Sequence, residues 1–200
     1  YMDDKQELER KKMVLIIEDN IELRTYIKNE LKDEYIIKEA ENGLDGLEKA
    51  SKYIPDIIIT DIMMPVMDGF ELCERIKSDL KTSHIPIIMI TAKGMQIDKI
   101  KGIDSGADVY LNKPFNMKVL QSYLKQLITS RQLLFDKYFK GNNSFVSDNT
   151  TSLDKEFMNN VLSYIYDNIN NEKLNVEHLA SKLYLSRSKL YRKIKALTGD

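Results

Sequence analysis

Short unbroken apolar runs recur along the first part of this chain: Met13-Val14-Leu15-Ile16-Ile17, Tyr35-Ile36-Ile37, Ile57-Ile58-Ile59-Thr60, Ile87-Ile88-Met89-Ile90 and Asp108 to Leu111. They are continuous rather than alternating, which is the pattern of strands buried on both faces of a parallel sheet. Between them the apolar positions fall at helical spacing. Ile21, Leu23, Ile27 and Leu31 stripe the stretch Asn20 to Leu31, and Leu44, Leu47 and Ala50 turn inward from Gly43 to Tyr53. Asp68-Gly69 opens a third helix reaching about Leu80, Met95 to Asp104 forms a fourth, and a fifth runs from about Asn116 into the residue 130 region. Strand and helix alternating through short connections predict right-handed crossovers and an α/β fold built on a doubly wound, five-stranded parallel sheet.

The alternation stops near residue 140. Gly141-Asn142-Asn143-Ser144 and Ser147 to Ser152 are polar turn formers with little to bury, and they read as a linker. Beyond it the pattern is all helical. Phe157, Val161, Leu162, Ile165 and Ile169 stripe one helix, Val176 to Leu183 is a short second, and Ser186 caps a third that ends before Thr198-Gly199. The expected organisation is an upstream segment 1–11, an α/β domain 12–131, a linker 132–152 and a small all-α domain 153–200.

Composition narrows the class without choosing within it. An apolar fraction of 42% with 30% charged residues and a net charge of -1 is ordinary for a globular protein. Cys73 is the only cysteine, which excludes a disulfide framework and a thiolate metal cluster. It falls in a helical stretch and reads as a small buried hydrophobe. No segment has the length of an apolar membrane span, and Tyr1 to Lys12 lacks a signal-peptide core. A cytoplasmic setting is expected, and the chain, opening on Tyr1 and closing on Asp200, is expected to be part of a longer polypeptide.

The chemistry lies at the carboxyl ends of four of the five strands. Glu18 and Asp19 end the first, Asp61 the third, Thr91 the fourth, and Lys113 with Pro114 the fifth. In a doubly wound sheet ligands bind outside the carboxyl ends of the strands, so these side chains converge on one pocket. Any one of them alone is an ordinary polar strand end. Together, three carboxylates, a hydroxyl and an ammonium make a divalent-metal and phosphoryl site. Mg²⁺ takes hard oxygen ligands and keeps several waters. A carboxylate such as Asp61 can serve as a covalent phosphoryl acceptor, with Lys113 and Thr91 on the phosphoryl oxygens.

These stretches, with Asp61-Ile62-Met63-Met64-Pro65, Met67-Asp68-Gly69, Thr91-Ala92 and Asn112-Lys113-Pro114-Phe115, resemble the receiver domain of bacterial two-component signalling from about Lys12 to Arg131. The resemblance implies a flavodoxin-like fold and phosphorylation of Asp61 by a histidine kinase. It implies Mg²⁺ held by Asp19, Asp61 and the backbone carbonyl of Met63, with Glu18 acting through water. Glu18 stands where Asp is more usual. Tyr110 would be the aromatic that swings inward with Thr91, and Pro114 is expected to follow a cis bond. The family's usual homodimer face combines the fourth helix, fifth strand and fifth helix, here with Ile97, Ile100, Lys101 and Val119.

The C-terminal helices carry a different signal. No acidic residue occurs between His178 and Gly199, while Lys182, Arg187, Lys189, Arg192, Lys193 and Lys195 are basic. A basic helix after a short helix and a tight turn is the helix-turn-helix pattern, although a solvated basic helix in a small bundle would share it. Arg187, Ser188, Lys189 and Arg192 would face the DNA major groove, with Lys193 and Lys195 nearer phosphates. Asn175 to Gly199 is similar to the first helix-turn-helix of AraC-type transcription regulators, whose second copy lies beyond the end of this chain. A receiver joined to such a segment resembles the C-terminal end of hybrid two-component proteins, with a kinase upstream and an anchor in the inner membrane possible there. The alternatives are a stand-alone response regulator or an unphosphorylated interaction module. A haloacid-dehalogenase-type phosphatase is rejected, because that family wants a second Asp where this chain has Met63.

Overall fold

The computed structural model describes residues 11–92, 106–139, 152–168, 171 and 174–198. The helix expected over Met95 to Asp104, and with it Ile97, Ile100 and Lys101, lies outside the described residues. Five strands, β1 (Met13–Ile17), β2 (Ile36–Ala40), β3 (Ile57–Asp61), β4 (Ile87–Ala92) and β5 (Val109–Lys113), pair entirely in parallel in the order β2-β1-β3-β4-β5. The described helices are α1 (Ile21–Leu31), α2 (Gly43–Tyr53), α3 (Gly69–Ser78), α4 (Met117–Phe139), α5 (Ser152–Asp167), α6 (Val176–Lys182) and α7 (Arg187–Thr198). The strand order reverses between β1 and β3, and their carboxyl ends flank the crevice where such sheets place ligands.

Successive strand residues point to opposite faces, and each face has its own core. Leu15, Ile17, Ile58 and Met89 pack with Ala50, Leu72 and Ile76 from α2 and α3. Val14, Ile16, Ile57, Ile59, Ile88 and Ile90 pack with Ile27, Leu31, Leu120 and Leu124 from α1 and α4. Each fully buried side chain of this size contributes roughly 1.5–3 kcal/mol. Cys73 is buried within the first of these cores, and burial pushes its thiol up to about 12. That matches an inert packing residue.

The helices start where side-chain oxygens can satisfy their first free amides. Asn20 accepts from the Leu23 N–H, Asn42 from Asp45 and Asp68 from Glu71. The inward face of α2 differs from its apolar pattern. Leu44 is exposed, while Gly43, Gly46 and Ala50 are buried with Leu47 packed alongside. A Cβ on Gly43 would sit 2.4 Å from the Met67 carbonyl oxygen, and one on Gly46 would sit 2.5 Å from Ile17 Cδ1. The helix lies too close to β1 and the β3–α3 loop for a leucine there. Ile21 is likewise exposed, at the amino end of α1. Helix α4 continues past Arg131 through residues expected to be linker. No Gly or Pro interrupts it before Gly141, and Leu133 and Leu134 keep its propensity high.

Helices α5, α6 and α7 enclose a second, smaller core of Phe157, Val161, Leu179, Ala180 and Leu190. Leu80, from the loop between α3 and β4, packs against the same core. Tyr184, in the turn between α6 and α7, adopts a left-handed backbone with φ 54°, a conformation that costs of order 1 kcal/mol or more for a bulky residue. Among the described residues no helix is long and apolar enough to cross a membrane.

Candidate functional site

The carboxyl ends of β1, β3 and β5 bring Glu18, Asp61 and Lys113 into direct contact. Lys113 Nζ donates to Glu18 Oε2 at 3.0 Å and to Asp61 Oδ2 at 2.8 Å. Asp61 Oδ1 accepts from the Ile62 N–H at 2.7 Å, which fixes the carboxylate plane. Glu18 and Asp61 are only 2% and 7% exposed, whereas Asp19 is open to solvent. One carboxylate oxygen from each of Glu18, Asp19 and Asp61 lies within 4.8 Å of the others. Burial pushes the Glu18 carboxyl above its ordinary value, the Asp61 charge adds to this, and Lys113 opposes both. Burial works against the Lys113 charge, but its bonds to Asp61 and Glu18 outweigh that and raise it. Two close carboxylates held by a single ammonium form a donor set that fits a hard divalent cation.

The surroundings hold this geometry. Arg24 Nη1 donates to the Glu18 carbonyl and Asn20 N–H to Glu18 Oε1 at 3.4 Å. A Cβ on Gly69 would lie 2.3 Å from the Asp61 carbonyl oxygen, so α3 can start this close to the end of β3 only with glycine there. Thr91 is fully buried, its hydroxyl donating to the Ala92 carbonyl at 3.4 Å, in the strand beside Asp61. Tyr110 is half-buried against the core containing Met89. The Met63 side chain points to solvent, and the Lys113–Pro114 bond is cis.

The basic positions of the helical unit divide into two sets. Arg187 and Ser188 are exposed, Lys189 and Lys195 are partly so, and Arg187 pairs with Glu177 at 3.0 Å. Ser186 accepts from the Lys189 N–H and caps α7. Arg192 is half-buried, its guanidinium donating to the Tyr53 carbonyl. Lys193 corrects the expectation of an exposed phosphate contact. It is 1% exposed and pairs with Asp154 at 2.9 Å. It stands with Leu190, Ile194 and Leu197 at the spacing of a helix face, so it occupies a place on the inward stripe of α7.

A family model, the response regulator receiver domain, matches residues 14–125. The chain belongs to the response regulator receiver family. A second model, the Mga helix-turn-helix domain, matches residues 110–199, which makes the helices behind the receiver a helix-turn-helix. Histidine kinase P4 of Formosa agariphila is 40% identical over 94% of this chain and 14% of its own length. The DNA-binding dual master transcriptional regulator RpaA of Synechocystis is 38% identical over 58% of this chain and 48% of its own. The receiver domain of the sensor histidine kinase PA1611 of Pseudomonas aeruginosa, with magnesium coordinated in its active-site cleft, superimposes with TM-score 0.55 at 29% identity, over 59% of this chain and 98% of that one. The chain thus spans a seventh of the first relative and about half of the second.

Glu18, Asp19, Asp61 and Lys113 stand together at the strand ends, with Thr91 on β4 beside them and Tyr110 on β5. Sequence reasoning missed Arg24 and Gly69 beside this site, and Asp154 at the opposite end of the sheet. Arg24 carries no motif signal, since its role depends on reaching back to a main-chain carbonyl. Gly69 had one, a glycine directly after a loop that must return to the strand end. Asp154 had another. It shares the inward stripe of α5 with Phe157 and Val161, and an acid on that stripe calls for a buried cation.

Proposed function

We propose that this receiver accepts a phosphoryl group on Asp61 from a histidine kinase and thereby controls the helix-turn-helix behind it. The observation that carries the reading is the ammonium of Lys113 joining Glu18 and Asp61 at the carboxyl ends of three strands. In the transfer, an Asp61 carboxylate oxygen bonds to phosphorus as the phosphorus–nitrogen bond of a phosphohistidine breaks, and the imidazole leaves and takes up a proton. Asp19, Asp61 and the Met63 backbone carbonyl would hold Mg²⁺, with Glu18 reaching it through water. When bound, the ion supplies charge that offsets the phosphoryl oxygens. Lys113 neutralises one of those oxygens and the Thr91 hydroxyl bonds another. Tyr110 turns inward as Thr91 is drawn toward the phosphoryl group, shifting the population of conformers.

The helix-turn-helix is of AraC type in this reading, and Arg187, Ser188, Lys189, Arg192 and Lys195 are its DNA-facing set. Val119 is exposed and belongs to the homodimer face. The whole polypeptide is a hybrid histidine kinase with its receiver and DNA-binding parts in the cytoplasm, as the likeness of nearly the whole chain to one segment of Histidine kinase P4 supports. The test is intact mass after incubation with Mg²⁺ and a small acyl-phosphate donor, alongside Asp61→Asn. Gain of one phosphoryl group by the parent alone is expected. Equal masses in both chains would require Asp61 to be withdrawn as acceptor.

A further inference from the structure

Asp19 differs from its acidic neighbours in what aims it. Glu18 and Asp61 are buried and bonded to Lys113. Asp19 is exposed, and among the described residues its carboxylate makes no hydrogen bond or ion pair. Its direction is therefore set by the main chain that carries it. Arg24, in the first turn of α1, grips that chain on both sides of Asp19. Its guanidinium Nη1 donates to the carbonyl of Glu18, in the peptide that enters Asp19. Its own N–H donates to the carbonyl of Asn20, one residue beyond, at 2.9 Å. The same stretch is pinned further by the Glu18 N–H donating to the Ala40 carbonyl at 3.2 Å and the Leu23 N–H donating to Asn20 Oδ1 at 3.0 Å.

Arg24 is itself held from the neighbouring strand. Its side chain is 14% exposed, and its Nε lies 3.7 Å from Glu39 Oε2 on β2. The other Glu39 oxygen accepts from Lys28 Nζ at 2.5 Å. A guanidinium presents its donors in one rigid plane and can serve a carbonyl and a carboxylate together, whereas an ammonium is a point charge on a flexible stem.

We propose that Arg24 is a positioning residue: it meets neither the metal nor the phosphoryl group, but it aims Asp19 and so sets how tightly the pocket holds Mg²⁺. This rests on the reading of Asp19 as a Mg²⁺ ligand. An exposed ligand must be ordered when the ion arrives, and fixing its main chain beforehand removes that cost. Partners that orient a ligand in this way are worth about 10–100-fold in metal affinity. Charge alone predicts the opposite sign. Arg24 is a cation beside a cation site, so if only its charge acted, removing it would tighten Mg²⁺ binding.

The test is calorimetric titration of Mg²⁺ into the metal-free full chain, for the parent, Arg24→Met and Arg24→Lys, at one pH and ionic strength. Cooperative melting without Mg²⁺ reports that each variant is folded. Arg24→Met should bind Mg²⁺ about 10–100-fold more weakly than the parent. Arg24→Lys, which keeps the charge but not the fork, should fall between the two. Binding by Arg24→Met as tight as the parent's, or tighter, would overturn the positioning role. Should Arg24→Met fail to melt cooperatively, parent-level binding by Arg24→Lys would overturn it instead. If the parent itself takes up no Mg²⁺, the metal reading fails and the role of Arg24 falls with it.

Discussion

Glu18 is the residue where structure and chemistry pull hardest against each other. Its carboxylate is almost fully buried beside Asp61, and burial, then the neighbouring charge, raises its pKa above 4.5. A carboxyl whose folded pKa is raised keeps its neutral form favoured in the fold. Its ionisation therefore costs stability once the pH exceeds 4.5, and the cost vanishes below that value. Functional sites commonly carry such penalties. Glu18→Gln should thus stabilise the metal-free protein at pH 7 by about 1 kcal/mol, with the gain disappearing as the pH falls below 4.5. The same substitution should shrink the rise in melting temperature that Mg²⁺ produces in the parent. Thermal unfolding across pH, with and without Mg²⁺, checks both, and a destabilised variant at pH 7 would refute the account. The acidic residues and Lys113 were legible from sequence because each lies within two residues of the end of an apolar run. Lys193 was misread for a related reason. Charge density pointed it at DNA, while its place on the apolar stripe of α7, which decided its burial, was a weaker signal.

The joint between β3 and α3 shows how an element's start can set a site. Asp61 ends the strand, Asp68 caps the helix and Gly69 lies against the Asp61 main chain. Gly69→Ala would drive a Cβ to 2.3 Å from a backbone oxygen that cannot rotate away. Overpacking of this kind costs about 1–3 kcal/mol, so a matching loss in denaturant unfolding is expected, together with slower phosphorylation of Asp61 by acyl phosphate. Normal stability with normal phosphorylation would show that the joint tolerates displacement. The strands were readable at this level because apolar runs bounded by turn formers leave few alternatives. The inward face of α2 was not, because glycines occupy it and an apolar pattern cannot register a surface defined by missing side chains. The length of α4 was missed because polar residues around Arg131 and Gln132 hid a helix that no Gly or Pro interrupts.

Docking of the two units turns a pair of ordinary domains into one body with a charged seam. Two buried ions at that seam, Lys193 and Asp154, both from the helical unit, are 1% and 3% exposed. Removing either alone takes the opposite charge away from a buried ion, which costs about 3–5 kcal/mol, whereas replacing both with apolar side chains of similar volume is often neutral. Lys193→Met and Asp154→Leu should each lower the melting temperature by on the order of 10 °C, given about 2–4 °C per kcal/mol for chains of this length. The double variant should recover most of that loss, because Met and Leu can lie against the Phe157 ring that Lys193 now covers. The cycle isolates the pair from the carbonyl and hydroxyl partners around it. Additive losses would mean that Leu80, Ser83 and His84, which the Lys193 ammonium also reaches, compensate its burial rather than Asp154. The seam would then be held mainly from the receiver side, and substitutions in the loop before β4 would open it more readily than any change in α5.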